Sequence, residues 1–320
     1  MLSINQLFVV FKEYFDEKTG IKEKKVMNPA NRDVCYAGKQ ILDGNEAQNA
    51  IRSLIESGKP CCIARLGGNE LFSMSCFEFG INVKKEKAID QLCTCAGFFP
   101  NDISFGHRYN ECMKEACGHV DLLGVFASRF EEYYIREYAP HAVQMTRLFD
   151  LEPWKYPENP WSDVLKGKKV LVIHPLAETI QKQYQKQERL FENTAVLPAF
   201  ELKTLKAVQT IAGEKDDRFS NWFEALEWMY QEALKIDFDI AIIGCGAYGF
   251  PLAAKLKEAG KQAFHLGGAT QLMFGIKGKR WVEDEKYAYV QQFMNDAWVY
   301  PSSEDIPHNA DKVEDSCYWK

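Results

Sequence analysis

Residues 239 to 268, DIAIIGCGAYGFPLAAKLKEAGKQAFHLGG, pass from a wholly apolar run through three glycines in six residues to a helical pattern closed by Gly260, then to a second apolar run. A strand with no polar face must be covered on both sides, and a parallel sheet wrapped by helices is the fold that does so. The same alternation recurs in PCCIA (60–64), VDLLGVFA (120–127) and KKVLVIHP (168–175). Helical patterns lie between them. In 46–57, Ala47, Ala50, Ile51, Leu54 and Ile55 share one face, with Gly58 as the stop. In 220–235, Ser220 is placed as an N-cap, and Trp222, Leu226, Met229 and Ala233 form a stripe. Stretches near 104–117 and from 177 to 193 also read as helical. The expected fold class is α/β, a mainly parallel, Rossmann-like sheet with helices on both faces. Residues 45–282 are expected to form this domain, after a helical extension over 1–44 and before a tail over 283–320. The proline-rich PWKYPENPW (153–161) marks a lobe boundary or a crossing over the surface.

Ligands of such sheets bind at the carboxyl ends of the strands. Here those ends are Arg65 to Glu70, His174-Pro175, Gly244 to Gly249 and His265 to Gly268. Gly244, Gly246 and Gly249 satisfy G-x-G-x-x-G between a strand and a helix, the setting in which such a turn cradles phosphate. An NAD site also needs a carboxylate about 20 residues on to hold the ribose. That position ends in Leu266, Gly267 and Gly268, so the turn suits a phosphate or diphosphate better than a dinucleotide.

Each candidate side chain has a structural reading beside its functional one. Arg65 can clamp a phosphate through its planar fork, or pair with Glu70. Glu70 can reach a sugar hydroxyl or a divalent metal, or simply favour a first helical turn. His174 and Glu178 can act together as a base and its orienting partner, or His174 can bond the backbone. His265 is a ligand contact or a core histidine. Lys277, Lys279 and Arg280 form a cationic loop over an anion, or a solvated surface.

Net charge −6 (39 Lys and Arg against 45 Asp and Glu) argues against a nucleic-acid partner, which needs clustered cations. The ten cysteines include no C-x-x-C pair, so reduced thiols in a cytoplasmic protein are expected, with Cys93 and Cys95 as a minor redox or metal alternative. No run reaches the roughly 18 to 20 apolar residues of a transmembrane segment. MLSINQLFVVFKEYF reads as an amphipathic helix that serves either the domain's own core or a partner. Sequences of the G-x-S-x-G, Walker A and H-E-x-x-H types are absent.

IARLGGNE, followed about 180 residues later by the glycine-turn block, resembles the GT-D-fold glycosyltransferases of bacterial glycan assembly. The resemblance sets Arg65, Gly67 and Glu70 on the first block and Gly244, Gly260 and Gly267 on the second. It implies a cytoplasmic transferase that uses a nucleoside-diphosphate sugar as donor and a glycan or glycoprotein as acceptor, with Gly67, Gly68, Gly267 and Gly268 also beside the donor. The family carries a D-x-E pair associated with Mg²⁺ or Mn²⁺, and this chain has Gly68 at the first carboxylate. Glu70 alone leaves a metal shell for other residues to complete. The cations at 277–280 are then expected to face the leaving diphosphate.

Overall fold

The computed structural model describes residues 4–31 and 33–320, so residues 1–3 and 32 of the expected helical extension lie outside the described residues. The strands are β1 (Cys35–Tyr36), β2 (Lys39–Gln40), β3 (Cys61–Arg65), β4 (Leu122–Val125), β5 (Gln144–Arg147), β6 (Lys169–His174), β7 (Glu201–Lys206), β8 (Ile240–Ile243) and β9 (Gln262–His265). The longer helices are α1 (Ile4–Thr19), α2 (Ile21–Met27), α3 (Gly44–Glu56), α4 (Gly68–Glu78), α5 (Lys85–Ala96), α6 (Gly106–Cys117), α7 (Glu131–Tyr138), α8 (Ala177–Tyr184), α9 (Trp222–Leu234) and α10 (Gly249–Glu258). Short helices α11 (Thr270–Met273), α12 (Lys279–Glu283) and α13 (Ala288–Gln291) follow.

β3 to β9 form one parallel sheet of seven strands in the order β5-β4-β3-β9-β8-β6-β7, and β1 with β2 makes a separate antiparallel pair. Successive residues of each strand enter opposite cores, as the pleat requires. Cys62, Ala64, Leu171, Ile173, Ala241 and Ile243 face the helices α4, α5, α6, α7, α9 and α10. Ile63, Val170, Val172, Ile240, Ile242 and Phe264 face α3, α8, α11 and the chain beyond residue 281. Both faces of the sheet are thus covered.

The five apolar runs all became strands. β5 and β7, with the sequences QMTR and ELKTLK, were not expected, and they occupy the two edges. β7 pairs on one side only and stays part-exposed, so its polar residues cost little there. β5 also bridges Leu42 through Thr146, and its buried Arg147 is satisfied by the Val26 and Asn28 carbonyls at 2.8 and 3.0 Å.

Local chemistry sets the helix ends. Asp43 and Glu46 close a capping box on α3, Asp43 Oδ1 accepting the Glu46 N–H at 2.9 Å and Glu46 Oε2 accepting the Asp43 N–H at 2.8 Å. Gly58 follows that helix at φ 65°. α9 is capped by Asn221 rather than by Ser220, because the extended backbone at 221 aims its Oδ1 at the Phe223 and Glu224 N–H groups. The helix expected over 177–193 stops at Tyr184 and continues as turns.

The proline-rich stretch divides no lobes, since one sheet takes strands from both sides of it. It packs Trp154 and Trp161 fully into the second core, and Trp161 lies 4.8 Å from Phe264. The tail is likewise folded: Val290, Ala297 and Trp298 join that core, and Val313, Cys317 and Trp319 form a small cluster with Ala212. The cysteines are free, and seven of them are buried. Burial pushes the Cys93 thiol up to about 12 and also raises that of Cys95, which argues against thiolate chemistry at either. No helix among the described residues is long and apolar enough to cross a membrane.

Candidate active site

β3, β9, β8 and β6 are neighbours, and the chain leaves them toward different faces: β3 and β8 into helices of the first core, β6 and β9 into helices of the second. A crevice opens at their carboxyl ends, as expected where connections diverge. It is a cleft of about 310 Å³ lined by Arg65, Gly68, Glu70, His174, Gly244, Gly246, His265, Gly267, Gly268 and Arg280, among others. Residues from all four expected strand ends therefore share one cavity.

The glycines have distinct geometric reasons. A Cβ on Gly244 would lie 2.6 Å from the Gly267 carbonyl oxygen and 2.7 Å from His174 Cδ2, so the two turns meet backbone to backbone. Gly246 and Gly267 adopt φ of 58° and 71°, which favour glycine. Gly249 does not line the cleft. A Cβ there would run into the His265 ring, which is 5% exposed and has little room to move. Gly249→Ala is expected to destabilise the fold by about 2–4 kcal/mol through this clash. Urea denaturation measures it, and unchanged stability would remove the packing role. Gly67 is the N-cap of α4 and lies under the Glu70 carboxylate, which occupies the place a Cβ would take. Gly68 differs: the nearest atom to a Cβ there is Ser128 Oγ at 3.9 Å, so the chain has room for a side chain it lacks.

Arg65 ends β3 and carries no ion pair among the described residues. Its Nη2 donates only a long bond to the Leu66 carbonyl (3.4 Å), its Nε is buried without a partner, and its guanidinium lies 6.0 Å over the Phe126 ring. Glu70 stands in the first turn of α4 with no hydrogen bond or ion pair among the described residues. The pairing of Arg65 with Glu70 is thus not formed. α4, α8 and α10 all begin at or beside the cleft without a side-chain cap, and uncapped N-termini add partial positive charge.

Several expected residues fall elsewhere. Glu178 is exposed and pairs with Lys206 at 3.3 Å, because Ala177, Ile180 and Gln183 form the inward stripe of α8 and leave position 178 on the solvent side. His174 lines the cleft, but its Nδ1 accepts the Leu176 N–H at 3.0 Å, and burial holds its pKa down at about 3. The ring is neutral with its proton on Nε2, a donor rather than a base. Burial, followed by the charge of Arg65, takes His265 to about 3 as well. Of the cationic loop, only Arg280 reaches the cleft. Lys277 reaches toward the Tyr300 ring (5.9 Å), and Lys279 pairs with Asp315.

The tail, unexpectedly, forms a wall of the site through Glu314, Tyr318 and Trp319. Arg280 pairs with Glu314 and lies 5.1 Å over Tyr318, while Gln271 Nε2 donates to the Lys277 and Tyr318 carbonyls at 3.0 and 3.1 Å. The Lys279 and Arg280 N–H groups donate to the Trp319 and Cys317 carbonyls at 2.8 and 3.1 Å. Glu314, Asp315 and Ser316 turn the chain back with three successive φ values of 45°, 55° and 62°. No local pattern signals this, because Tyr318 meets Gly268 across 50 residues of chain.

Among solved structures, one described as "The highly conserved domain of unknown function 1792 has a distinct glycosyltransferase fold" is 13% identical, covers 72% of this chain and 79% of its own, and has a TM-score of 0.43. A selenomethionine-substituted structure of domain of unknown function 1792 is 14% identical with the same coverage and a TM-score of 0.39. No match was found among curated proteins. The model of the GT-D fold-like domain matches residues 42–273. That match runs from just ahead of α3 to the end of α11 and holds all seven strands with four of the cleft's turns, and the chain belongs to the GT-D-like family.

Proposed function

We propose that this chain is a glycosyltransferase-like enzyme, taking a sugar from a nucleoside-diphosphate sugar and passing it to a glycan or glycoprotein acceptor. Arg65 carries the reading: it is a guanidinium with no carboxylate partner among the described residues, set among glycine turns and uncapped helix starts. A cation so placed is stabilised by an anion. A diphosphate supplies two charged groups for Arg65 and Arg280, with Glu314 released from Arg280 as it binds.

When the bond from the anomeric carbon to the diphosphate oxygen breaks, negative charge grows on the leaving group and positive charge on the sugar. Arg65, Arg280 and the turns after β8 and β9 stabilise the first. Glu70 is the unpaired carboxylate of the cleft, and it takes the acceptor hydroxyl proton or supports the sugar cation. His174 donates from Nε2. The chain makes no metal cage by itself: Glu70 is a single carboxylate, and among the described residues no group of three or more His, Cys, Asp and Glu is placed to hold an ion, so a divalent ion would take the rest of its shell from the donor's phosphates. The steps above are assigned to this chain's own residues.

A non-catalytic nucleotide- or sugar-binding module is the second reading, favoured by the separation of Glu178 from His174. A thermal-shift panel with UDP, GDP, CMP, their sugars and NAD(P), each with Mn²⁺ and with EDTA, tests the ligand class. Stabilisation by one nucleoside diphosphate and its sugars is expected, worth about 3 kcal/mol at a hundredfold excess over Kd and unchanged by EDTA. Gly68→Asp, which fits sterically, serves as the metal-responsive comparator. Stabilisation by NAD(P) alone, or by no nucleotide, overturns the reading. Release of nucleoside diphosphate from the donor only when an acceptor is present separates transfer from binding.

A further inference from the structure

α1 turns its aromatic side outward, unlike a core helix. The side that meets the body is mixed: Val9 and Val10 pack against the first core, and charged residues bond beside them. Glu13, 2% exposed, accepts the Phe130 N–H and the Lys22 Nζ, each at 2.9 Å, while Lys12 meets Glu132 and Glu17 meets Arg129, both at 3.0 Å. The apolar side is bare: Leu7, Phe8, Phe11, Tyr14 and Phe15 are each more than half exposed, Phe8 at 68% and Phe11 at 70%. Their spacing by one, three and four residues makes a single stripe. Ile21, 64% exposed, lies at the start of α2 just beyond it.

Cations flank this stripe in a chain whose net charge is −6. Lys18, Lys24 and Lys25 belong to the end of α1 and to α2, and they carry no ion pair among the described residues. A groove lined by Glu17, Lys84, Lys87 and Arg129 joins α1 to the corner before α5, where Val83 is 93% exposed. Lys84 and Lys87 also carry no ion pair among the described residues. The same groove is bounded by Gly68 and Asn69, which line the mouth of the cleft.

We propose that this face docks on an anionic lipid bilayer surface, the aromatic stripe entering the headgroup region and the lysines meeting lipid phosphates. Aromatic and aliphatic residues on one side of a surface helix, with lysines around them, are the chemistry of an in-plane membrane contact. A twofold contact with a second copy would instead set one lysine rim against the same rim. Docking by this face does not depend on sugar transfer at the cleft.

The full chain is tested by co-sedimentation with vesicles of phosphatidylcholine alone and of phosphatidylcholine mixed with phosphatidylglycerol, at low and high salt. Partitioning onto anionic vesicles is expected to exceed that onto neutral ones by roughly tenfold or more and to fall with salt. The exposed-site variants Phe8→Ser/Phe11→Ser and Lys84→Glu/Lys87→Glu should each lose about tenfold, with unchanged circular dichroism and melting. Equal partitioning by all three proteins, or none by the parent, overturns the proposal. So does a dimer seen by light scattering without lipid that Phe8→Ser/Phe11→Ser splits into monomers, since the stripe would then belong to a second copy.

Discussion

Replacing Arg65 by alanine is expected to lower kcat/KM for sugar transfer by about 10²–10³-fold, the range seen when one donor to a developing negative charge is removed. Arg65 has its Nε buried without a partner and no carboxylate to neutralise it among the described residues, so within the free protein its charge meets only the Phe126 ring and a long bond to the Leu66 carbonyl. Removing it should therefore leave the melting temperature unchanged or slightly higher while abolishing the shift induced by the nucleoside diphosphate. Arg65→Lys keeps the charge but loses the fork, and should fall between the two. Glu70→Gln separates the roles further: the nucleotide-induced shift persists while transfer is lost. Release of nucleoside diphosphate from the donor reads the rates. Full activity in Arg65→Ala would remove Arg65 from the site chemistry.

Stability against pH is expected to show a flat maximum between about pH 4.5 and 6.5, with a fall on each side. Burial holds His174 and His265 near 3, against an ordinary 6.5. Burial also pushes Glu131 up to about 7 and Glu152 up to about 8, against an ordinary 4.5. Below pH 6.5 the unfolded histidines bind protons that the native rings refuse, so their contribution is lost as pH falls toward 3. Above pH 4.5 the unfolded glutamates release protons that the native ones keep, so theirs is lost as pH rises toward 7 and 8. Between 4.5 and 6.5 two groups pull each way and the slopes cancel.

Each group contributes about 1.4 kcal/mol per pH unit. The acid limb from pH 4.5 to 3 is then worth about 4 kcal/mol and the alkaline limb from pH 6.5 to 8 about 3 kcal/mol. Glu78 and Glu132, held below the usual range in spite of burial by their hydrogen-bond partners, steepen the acid limb. Urea midpoints across pH 3 to 9 check the profile. Glu152→Gln, which keeps an acceptor for the Tyr289 hydroxyl at 3.0 Å, should flatten most of the alkaline limb and leave the acid limb alone. Stability that climbs from pH 6.5 to 8 would refute the assignment.

The site was partly legible in the chain because its backbone features are local. A strand end followed by a helix start within eight residues can be read wherever it occurs, and four such ends, three of them with a glycine turn, proved to share one cleft. Side-chain direction was less legible. Glu178 lies four residues after His174 yet faces Lys206, because the apolar stripe of α8 sets the phase of the helix and the stripe lies at 177, 180 and 183. Lys277 and Lys279 failed for a related reason: a cationic run says nothing about which member faces inward, and the tail takes Lys279 into a pair with Asp315.

By itself the sequence determined the parallel sheet, the covering of both its faces and the four turns at its carboxyl edge, since unbroken apolar strands and helical stripes have few other ways to bury themselves. Tertiary structure alone decided the rest. It placed the polar strands: β7 lies at an edge part-open to solvent, and β5 buries Arg147 against the carbonyls at the end of α2. It brought Glu314 and Tyr318 onto the cleft, and it turned the aromatic side of α1 outward by burying Glu13. Those outcomes depend on contacts between residues far apart in the chain, and periodicity reports only which face of an element is apolar, not what that face meets.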